Sequence, residues 1–389
     1  MKIAVIGLGG RLSDVWSMLK LQCPEAELSA VCDVKPAEAL KEQLRRLGEN
    51  PETCALFTDP EEMLAAGGFE GVMVGTRCSL HSKMGQLVLN ADLPLYLEKP
   101  IATNRKDLEA LKAAGAGKEQ RVVIGFPLRV TQLVLETKKM IKRGDIGEPM
   151  HMYAWNNPNY GDTYYQSWYR DNEETQGLWL QKATHDLDYM VYILEKKPVR
   201  ICAMTSKKVF DCSKPAGKYC VDCDETDCKQ HPYQRVMFGC DLDRMPKKGD
   251  RAAYGRMCSF GEDAKNEDSG SCLIGFEDGS HAVYTQCFYA RKKAGNRGCR
   301  VIGYDGTIEF DWTTSQVKLF RHHCCQDEVI SCNPNGIGHG GGDVILVQSF
   351  LDIIRGKGVS CSDLNDGILS VEMCMAAMES SATNTFVEL

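Results

Sequence analysis

The chain has 389 residues, 43% of them hydrophobic and 25% charged, enough for two sizeable domains with their own cores and too apolar for general disorder. Its net charge is −7 and its Lys and Arg residues are dispersed, so no basic stripe exists to meet a phosphate backbone and nucleic acid is excluded as the expected partner. The opening MKIAVIGLGG is too Gly-interrupted for a secretion signal and no later apolar run reaches the ~18 residues of a membrane span, which predicts a cytoplasmic chain with no membrane partner.

The 19 cysteines are odd in number, and many sit singly in apolar surroundings, as Cys32, Cys202 and Cys287 do. Reduced core thiols fit that pattern better than a secreted disulfide framework.

From residue 1 to 126, short apolar runs (KIAVIGLG, LSAVCDV, ALFTD, GVMVGT, LPLYLEK, RVVIGF) alternate with segments of helical spacing. Runs without strict alternation suit strands buried on both faces, so this part predicts an α/β domain built on a doubly wound parallel sheet. After 127 the texture changes. MHMYAWNN, GSCLIGFEDG, HAVYTQCFYA, CRVIGYDG and IEFDW alternate or pair around Asp-Gly and Gly-Ser turns. Residues 127–389 therefore predict an α+β domain with a large, open, mostly antiparallel sheet and a Cys-rich insertion at 211–232.

Strand one runs into Gly7-Leu8-Gly9-Gly10-Arg11-Leu12. Gly7 and Gly9 permit the tight turn and close pyrophosphate approach of a dinucleotide site at a helix N-terminus, with Gly10 and Arg11 opening the helix. The third fingerprint position holds Leu12, where Gly or Ala is usual, so an ordinary glycine turn is a competing reading. Asp33 ends the second strand, where a carboxylate can accept from an adenosine ribose hydroxyl and would repel a 2′-phosphate; NAD is expected over NADP. Farther on, Lys99 lies in Glu98-Lys99-Pro100 at the carboxyl edge of a buried strand. A lysine there can hydrogen-bond a substrate hydroxyl and hold the charge of a developing alkoxide.

In LWLQKATHDLDYM, at about 100° per residue, Leu180, Ala183, Leu187 and Met190 share one helical stripe and Gln181, His185 and Asp188 another. The second stripe reads equally as a solvated face or as site residues, with Lys182 beside it. Upstream, NNPNYGDTYYQSWYRDNEETQG offers Asn156, Tyr164, Trp168 and Arg170 as walls for a carbohydrate pocket, since sugars present flat apolar faces edged by hydroxyls. His339 in GIGHGGGD is a candidate at the pocket mouth.

Between 212 and 231 stand Cys212, Cys220, Cys223, Cys228 and His231, in a polar segment poor in core residues. Four of these could surround a structural zinc; reduced thiols or a labile disulfide are the competing readings.

The glycine turn, the acid ending strand two, GTRCSLH after strand four, the EKP triplet, GFPLR and the later histidine helix follow one another as in the glucose-fructose oxidoreductase, inositol dehydrogenase and rhizopine-catabolism family, Gfo/Idh/MocA. The resemblance covers nearly the whole chain. It implies an NAD(P)-dependent oxidoreductase whose second domain covers the nicotinamide and forms a homo-oligomer interface. By matching position it implies that Thr76, Arg77 and His81 line the cofactor pocket, that Glu98 sits near the nicotinamide ribose, and that Lys99 is the catalytic lysine, with Pro100 after a cis bond. It also implies His185 as proton acceptor and Asp188 as the following acid. Gln181 stands where such proteins carry an acid, and an amide takes no proton at neutral pH, which leaves His185, Lys99 and Lys182 as the proton carriers.

Two activities follow as expectations. One is hydride transfer from a sugar, sugar-derivative or cyclitol hydroxyl to NAD. The alternative is a glycosidase or lyase that oxidises its sugar transiently, eliminates, and re-reduces with no net NADH.

Overall fold

A computed structural model describes residues 1–225, 227–230, 256–332 and 338–389. Two sheets organise them. The first contains β1 (Lys2–Ile6), β2 (Glu27–Cys32), β3 (Ala55–Phe57), β4 (Gly71–Val74), β5 (Leu95–Leu97) and β6 (Val122–Ile124), in the order β3-β2-β1-β4-β5-β6. All its pairs are parallel. Strands β1, β4, β5 and β6 are buried along nearly their whole length because helices cover both faces, which is why their sequences lack alternation. Strand order reverses between β1 and β4, the crevice where such sheets bind ligands.

The second sheet adds β7 (His151–Asn157), β8 (Pro198–Ser206), β9 (Ser269–Phe276), β10 (His281–Cys287), β11 (Asn296–Ile302), β12 (Gly306–Asp311), β13 (Gln316–Arg321), β14 (Asp327–Ser331) and β15 (Val387–Glu388). They lie in the order β14-β13-β12-β11-β7-β10-β9-β8-β15. Among the described residues its one parallel pair is β7 with β10. The inner face, including Ala154, Ile201, Ile274, Tyr284, Val301 and Phe310, packs in one core with the helices Thr184–Leu194 and Leu364–Thr383. The outer face keeps Tyr153, Trp155 and Val283 half-buried and Met204 and Leu273 exposed. Strand β7 shows the resulting alternation from end to end.

The fold class is thus the one the sequence predicts, but the chain crosses between its halves. The helix Gly342–Ile354 returns to the first sheet. Its Leu346, Val347, Phe350 and Leu351 share a core with Ile3, Val5, Val15 and Trp16. Asp363 then caps the last long helix with a reciprocal bond to Asp366. No helix among the described residues is long and apolar enough to cross a membrane.

Candidate active site

The glycine turn at the end of β1 is built for close approach. Gly7 has φ +81°, and a Cβ there would stand 2.7 Å from the backbone nitrogen of Thr76. The helix Gly10–Gln22 begins at Gly9 with no side chain capping it, and a Cβ on Gly10 would meet nothing within 4 Å. No side chain therefore competes for its first N–H groups, as an anion site requires.

The large residue at the third fingerprint position also has an explanation. Leu12 packs against Gly75 at the end of β4, where a Cβ would come within 2.8 Å of Leu12 Cδ2. The space-keeping glycine has moved from the helix to the facing strand. At the tip of β2, Asp33 accepts from the Lys35 backbone N–H at 3.0 Å and lies 3.5 Å from the Lys35 ammonium. That ammonium also donates to the Leu8 carbonyl, so a cation overlooked in the sequence bridges the turn and the acid. These residues could hold a dinucleotide, with Gly7, Gly9, Gly10 and Leu12 as its cradle and Asp33 at the tip of β2 free to accept from a ribose hydroxyl.

Arg11 leaves this turn to pair with Glu98 at 3.0 Å and with Asp343 at 2.6 Å. Burial opposes its charge, but Glu98 and Asp343 hold the guanidinium well above its usual pKa. His339 joins the network through Nδ1, 2.8 Å from Asp343. Burial works against the Asp343 carboxylate, yet its bonds to His339 and Arg11 keep its pKa at about 2. Glu98 is therefore committed to Arg11. Buried His81 places its ring nitrogens 2.7 Å from the Pro100 carbonyl and 3.2 Å from that of Thr76, tying the loop after β4 to the loop after β5. The Lys99-Pro100 bond is cis, and the Arg77 guanidinium lies 3.8 Å above the Trp168 ring centre.

The candidate reacting groups meet at a helix irregularity. Residues Trp179–Ala183 form a π-turn leading into the α-helix Thr184–Leu194. The wider turn offsets residues 179–183 from the helix that follows, and that helix is enclosed on all sides over Thr184–Met190, so both stripes lie inside the protein. Gln181, Lys182 and His185 are 5%, 7% and 9% exposed, so the solvated-face reading of that stripe fails here.

Lys99 Nζ donates to the Gln181 carbonyl at 2.5 Å, and Lys182 Nζ donates to the Tyr160 hydroxyl at 2.8 Å. Burial, together with the nearby Lys182 charge, lowers the Lys99 pKa to about 8. The Lys182 ammonium draws the Tyr160 phenol below its ordinary value. Burial pushes His185 well below the usual histidine range, and Lys99, Arg297 and Lys182 push it further, so its imidazole is neutral. His185 Nδ1 and Gln181 Oε1 are buried with no hydrogen-bond partner. Other buried polar atoms also lack a partner, but these two lie together at the buried lysines, where a bound hydroxyl could complete their bonding.

The structure distributes the remaining expected residues around this centre. Tyr164 is buried, with its ring 5.8 Å from the Lys182 ammonium. Asn156 donates to Asp186 at 2.9 Å, in a buried knot that also contains Tyr284 and Arg297. Asp188 accepts two bonds from Arg129, at 2.5 and 3.0 Å, and Arg129 reaches on to Asp366 at 2.5 Å. Arg170 donates to the carbonyls of Tyr165 and Cys258 and pairs with Asp263. Asp188 and Arg170 are thus occupied by protein partners.

Tyr160 and Arg297 escaped the sequence reading. Tyr160 was one aromatic among several in its loop, and Arg297 comes from β11, far along the chain, where no local spacing links it to residue 182.

In the cysteine segment, Cys220, Cys223 and Cys228 line one enclosed cavity of about 20 Å³ together with Cys258, a residue not expected there. The thiol of Cys212 instead points to the Ala264 carbonyl at 3.5 Å. His231 lies outside the described residues. Among the described residues no group of three or more His, Cys, Asp or Glu side chains could hold a metal ion as it stands.

A reversing parallel sheet with an uncapped glycine turn, next to a buried lysine–histidine centre under a second open sheet, defines an NAD-binding oxidoreductase of two-sheet architecture. Residues 1–126 match the oxidoreductase family's NAD-binding Rossmann fold and residues 134–309 match the GFO/IDH/MocA C-terminal domain; the chain belongs to this family.

Oxidoreductase YteT of Bacillus subtilis (strain 168) is 24% identical over 367 residues, spanning 85% of this chain and 82% of its own. Myo-inositol 2-dehydrogenase of Thermotoga maritima is 25% identical over 149 residues, only 38% of this chain and 43% of that enzyme. Among solved structures, levoglucosan dehydrogenase in complex with NADH and levoglucosan superposes with a TM-score of 0.75 at 18% identity, covering 100% of this chain and 99% of that one. Aldose-aldose oxidoreductase from Caulobacter crescentus gives 0.73 at 17%, with the same coverage. At such identities these two likenesses establish the fold.

Proposed function

We propose that the protein oxidises a hydroxyl of a sugar, sugar derivative or cyclitol, with NAD as hydride acceptor. The observation that carries this reading is the pair of orphaned buried atoms, His185 Nδ1 and Gln181 Oε1, beside the Lys99 ammonium. The relatives named above include dehydrogenases acting on levoglucosan and on inositol, which supports a polyhydroxylated substrate. NAD, when bound along the glycine turn, supplies the site that accepts hydride from the carbinol carbon.

The chain's own groups do the rest. Lys99 stands at the carboxyl edge of β5 with a pKa near working pH, so it can take the hydroxyl proton and can hold the oxygen's charge as that proton leaves. Neutral His185 offers a second nitrogen to the same hydroxyl or its neighbour. Lys182, held by Tyr160, keeps the site positive and thereby keeps Lys99 acidic. Tyr164 and Trp168 form aromatic walls.

The test is purified protein with NAD and a panel of sugars, cyclitols and aryl glycosides, recording NADH and released aglycone together. NADH formed in proportion to oxidised product is the expected result. Aglycone release without NADH would overturn it in favour of the redox-assisted glycosidase, a reading that the named relatives do not support.

Two further assignments belong to the same reading. A homo-oligomer is proposed from the outer face of the second sheet, which the described residues leave uncovered. A structural zinc is proposed for the cysteine segment on the condition that the four thiols of its cavity draw together, since as they stand they hold no metal; elemental analysis of protein purified without chelator should then find about one zinc per chain, the stoichiometry of a Cys₄ site, and only traces would overturn it.

A further inference from the structure

The electrostatics of the reaction centre are one-sided. Four buried acids around it are each bound to an arginine: Glu98 and Asp343 to Arg11, Asp186 to Arg297, and Asp188 to Arg129; a fifth, Glu267, is spent on the backbone N–H groups of Leu178 and Trp179. The two buried lysines have no such partner. Among the described residues neither Lys99 nor Lys182 forms an ion pair; one is held by a backbone carbonyl and the other by a phenol. Arg297 adds a buried NH2 with no hydrogen-bond partner. The amide of Gln181 brings no charge where a carboxylate could have balanced the site.

Burying ammonium groups without a counterion is expensive, and two of them near each other add repulsion. A bound group carrying negative charge relieves both. Lys99 must address the reacting hydroxyl, which leaves Lys182 for the anion, with the orphaned Arg297 NH2 and the Tyr160 hydroxyl as further polar partners. One free ammonium matches a monoanion better than a dianionic phosphate.

We infer that the substrate is a sugar acid, a polyhydroxylated molecule whose carboxylate is held by Lys182 while Lys99 and His185 engage the hydroxyl to be oxidised. This rests on the dehydrogenase reading above and narrows it to uronates and aldonates. The reaction remains a two-electron oxidation: the carbinol C–H gives its hydride to NAD, the O–H gives its proton to the protein and then to solvent, and the carboxylate is unchanged.

The experiment compares pairs in which a charged group stands at one carbon in place of a neutral one: galacturonate with galactose, gluconate with glucitol, and glucose 6-phosphate with glucose, each with NAD and wild-type protein. Calorimetric binding of galacturonate and galactose runs alongside as a readout independent of turnover. The expected result is a preference in kcat/KM of at least about tenfold for each carboxylate over its neutral partner, the fold-change of one ~1.4 kcal/mol interaction. That preference should fall in Lys182→Met and be largely retained in Lys182→Arg.

NADH production from neutral sugars with no preference for the acids would overturn this inference and leave the dehydrogenase reading intact. A phosphate preference exceeding the carboxylate preference would also overturn it. No NADH from any substrate, with no binding of galacturonate, would remove the dehydrogenase reading and this inference together.

Discussion

A lysine can serve as a base only where its neutral form is populated, and Lys99 meets that condition because burial and Lys182 bring its pKa to about 8. Below that value the ammonium predominates and cannot accept the hydroxyl proton; above it the free amine can. Oxidation should therefore accelerate as pH rises through about 8, measured as kcat/KM against pH. His185 is neutral throughout this range, so a profile flat across it would transfer the base role to His185. Lys182→Met removes the repelling cation and should move the inflection upward, whereas a merely structural role for Lys182 would lower rates and leave the inflection in place. Lys99→Ala should reduce kcat by about 10²–10⁴, the span usual for a lost general acid or base, while NAD affinity by fluorescence titration stays near that of the wild type. Wild-type turnover in that variant would refute the role.

At the scale of elements, the glycine turn shows what sequence can and cannot reveal. Gly7 and the buried strands could be read directly, because φ +81° beside a neighbouring backbone and two-sided burial each leave a local residue signature. Gly7→Ala combines left-handed strain with a 2.7 Å clash, so it should lower stability by more than about 1 kcal/mol and weaken NAD binding, read by denaturant melts with and without NAD.

Leu12 looked like a defect because its compensation, Gly75, lies on another strand. In the helix at 184–194 the core stripe is legible, since Leu187 and Met190 are fully buried; hydrophobic spacing does not announce that the opposite face is buried as well, nor that a π-turn leads into it. The family resemblance puts Asp188 in the site as the acid following His185, but its partner Arg129 belongs to the 3₁₀ turn Pro127–Val130, distant in sequence. Arg129→Met would leave that carboxylate buried and alone. A loss of about 3–5 kcal/mol in denaturant stability is expected, and a loss under about 1 kcal/mol would mean that the pair ties nothing together.

At the scale of the whole molecule, the described residues clothe the second sheet on one face and leave the other bare. Helices Thr184–Leu194 and Leu364–Thr383 bury the inner side chains, while Tyr153, Trp155, Val283, Leu273 and Met204 remain partly or fully exposed on the strands β7, β10, β9 and β8. An apolar face spread over four neighbouring strands exceeds the scattered exposure normal for a surface, and a two-fold partner presenting the same face would cover it. Light scattering after size exclusion should accordingly report a multiple of the 43.3 kDa chain mass. Leu273→Arg places a charge near the middle of the face with little effect inside the protein, since that side chain already points outward. It should shift the mass toward that of one chain while the far-ultraviolet spectrum stays the same. A single-chain mass for the wild type at micromolar concentration would show that the sheet is covered by something other than a second copy. The reaction centre lies on the helix-covered side of this sheet, so dissociation through Leu273→Arg would also show whether a lone chain keeps its Lys99 and His185 in working order.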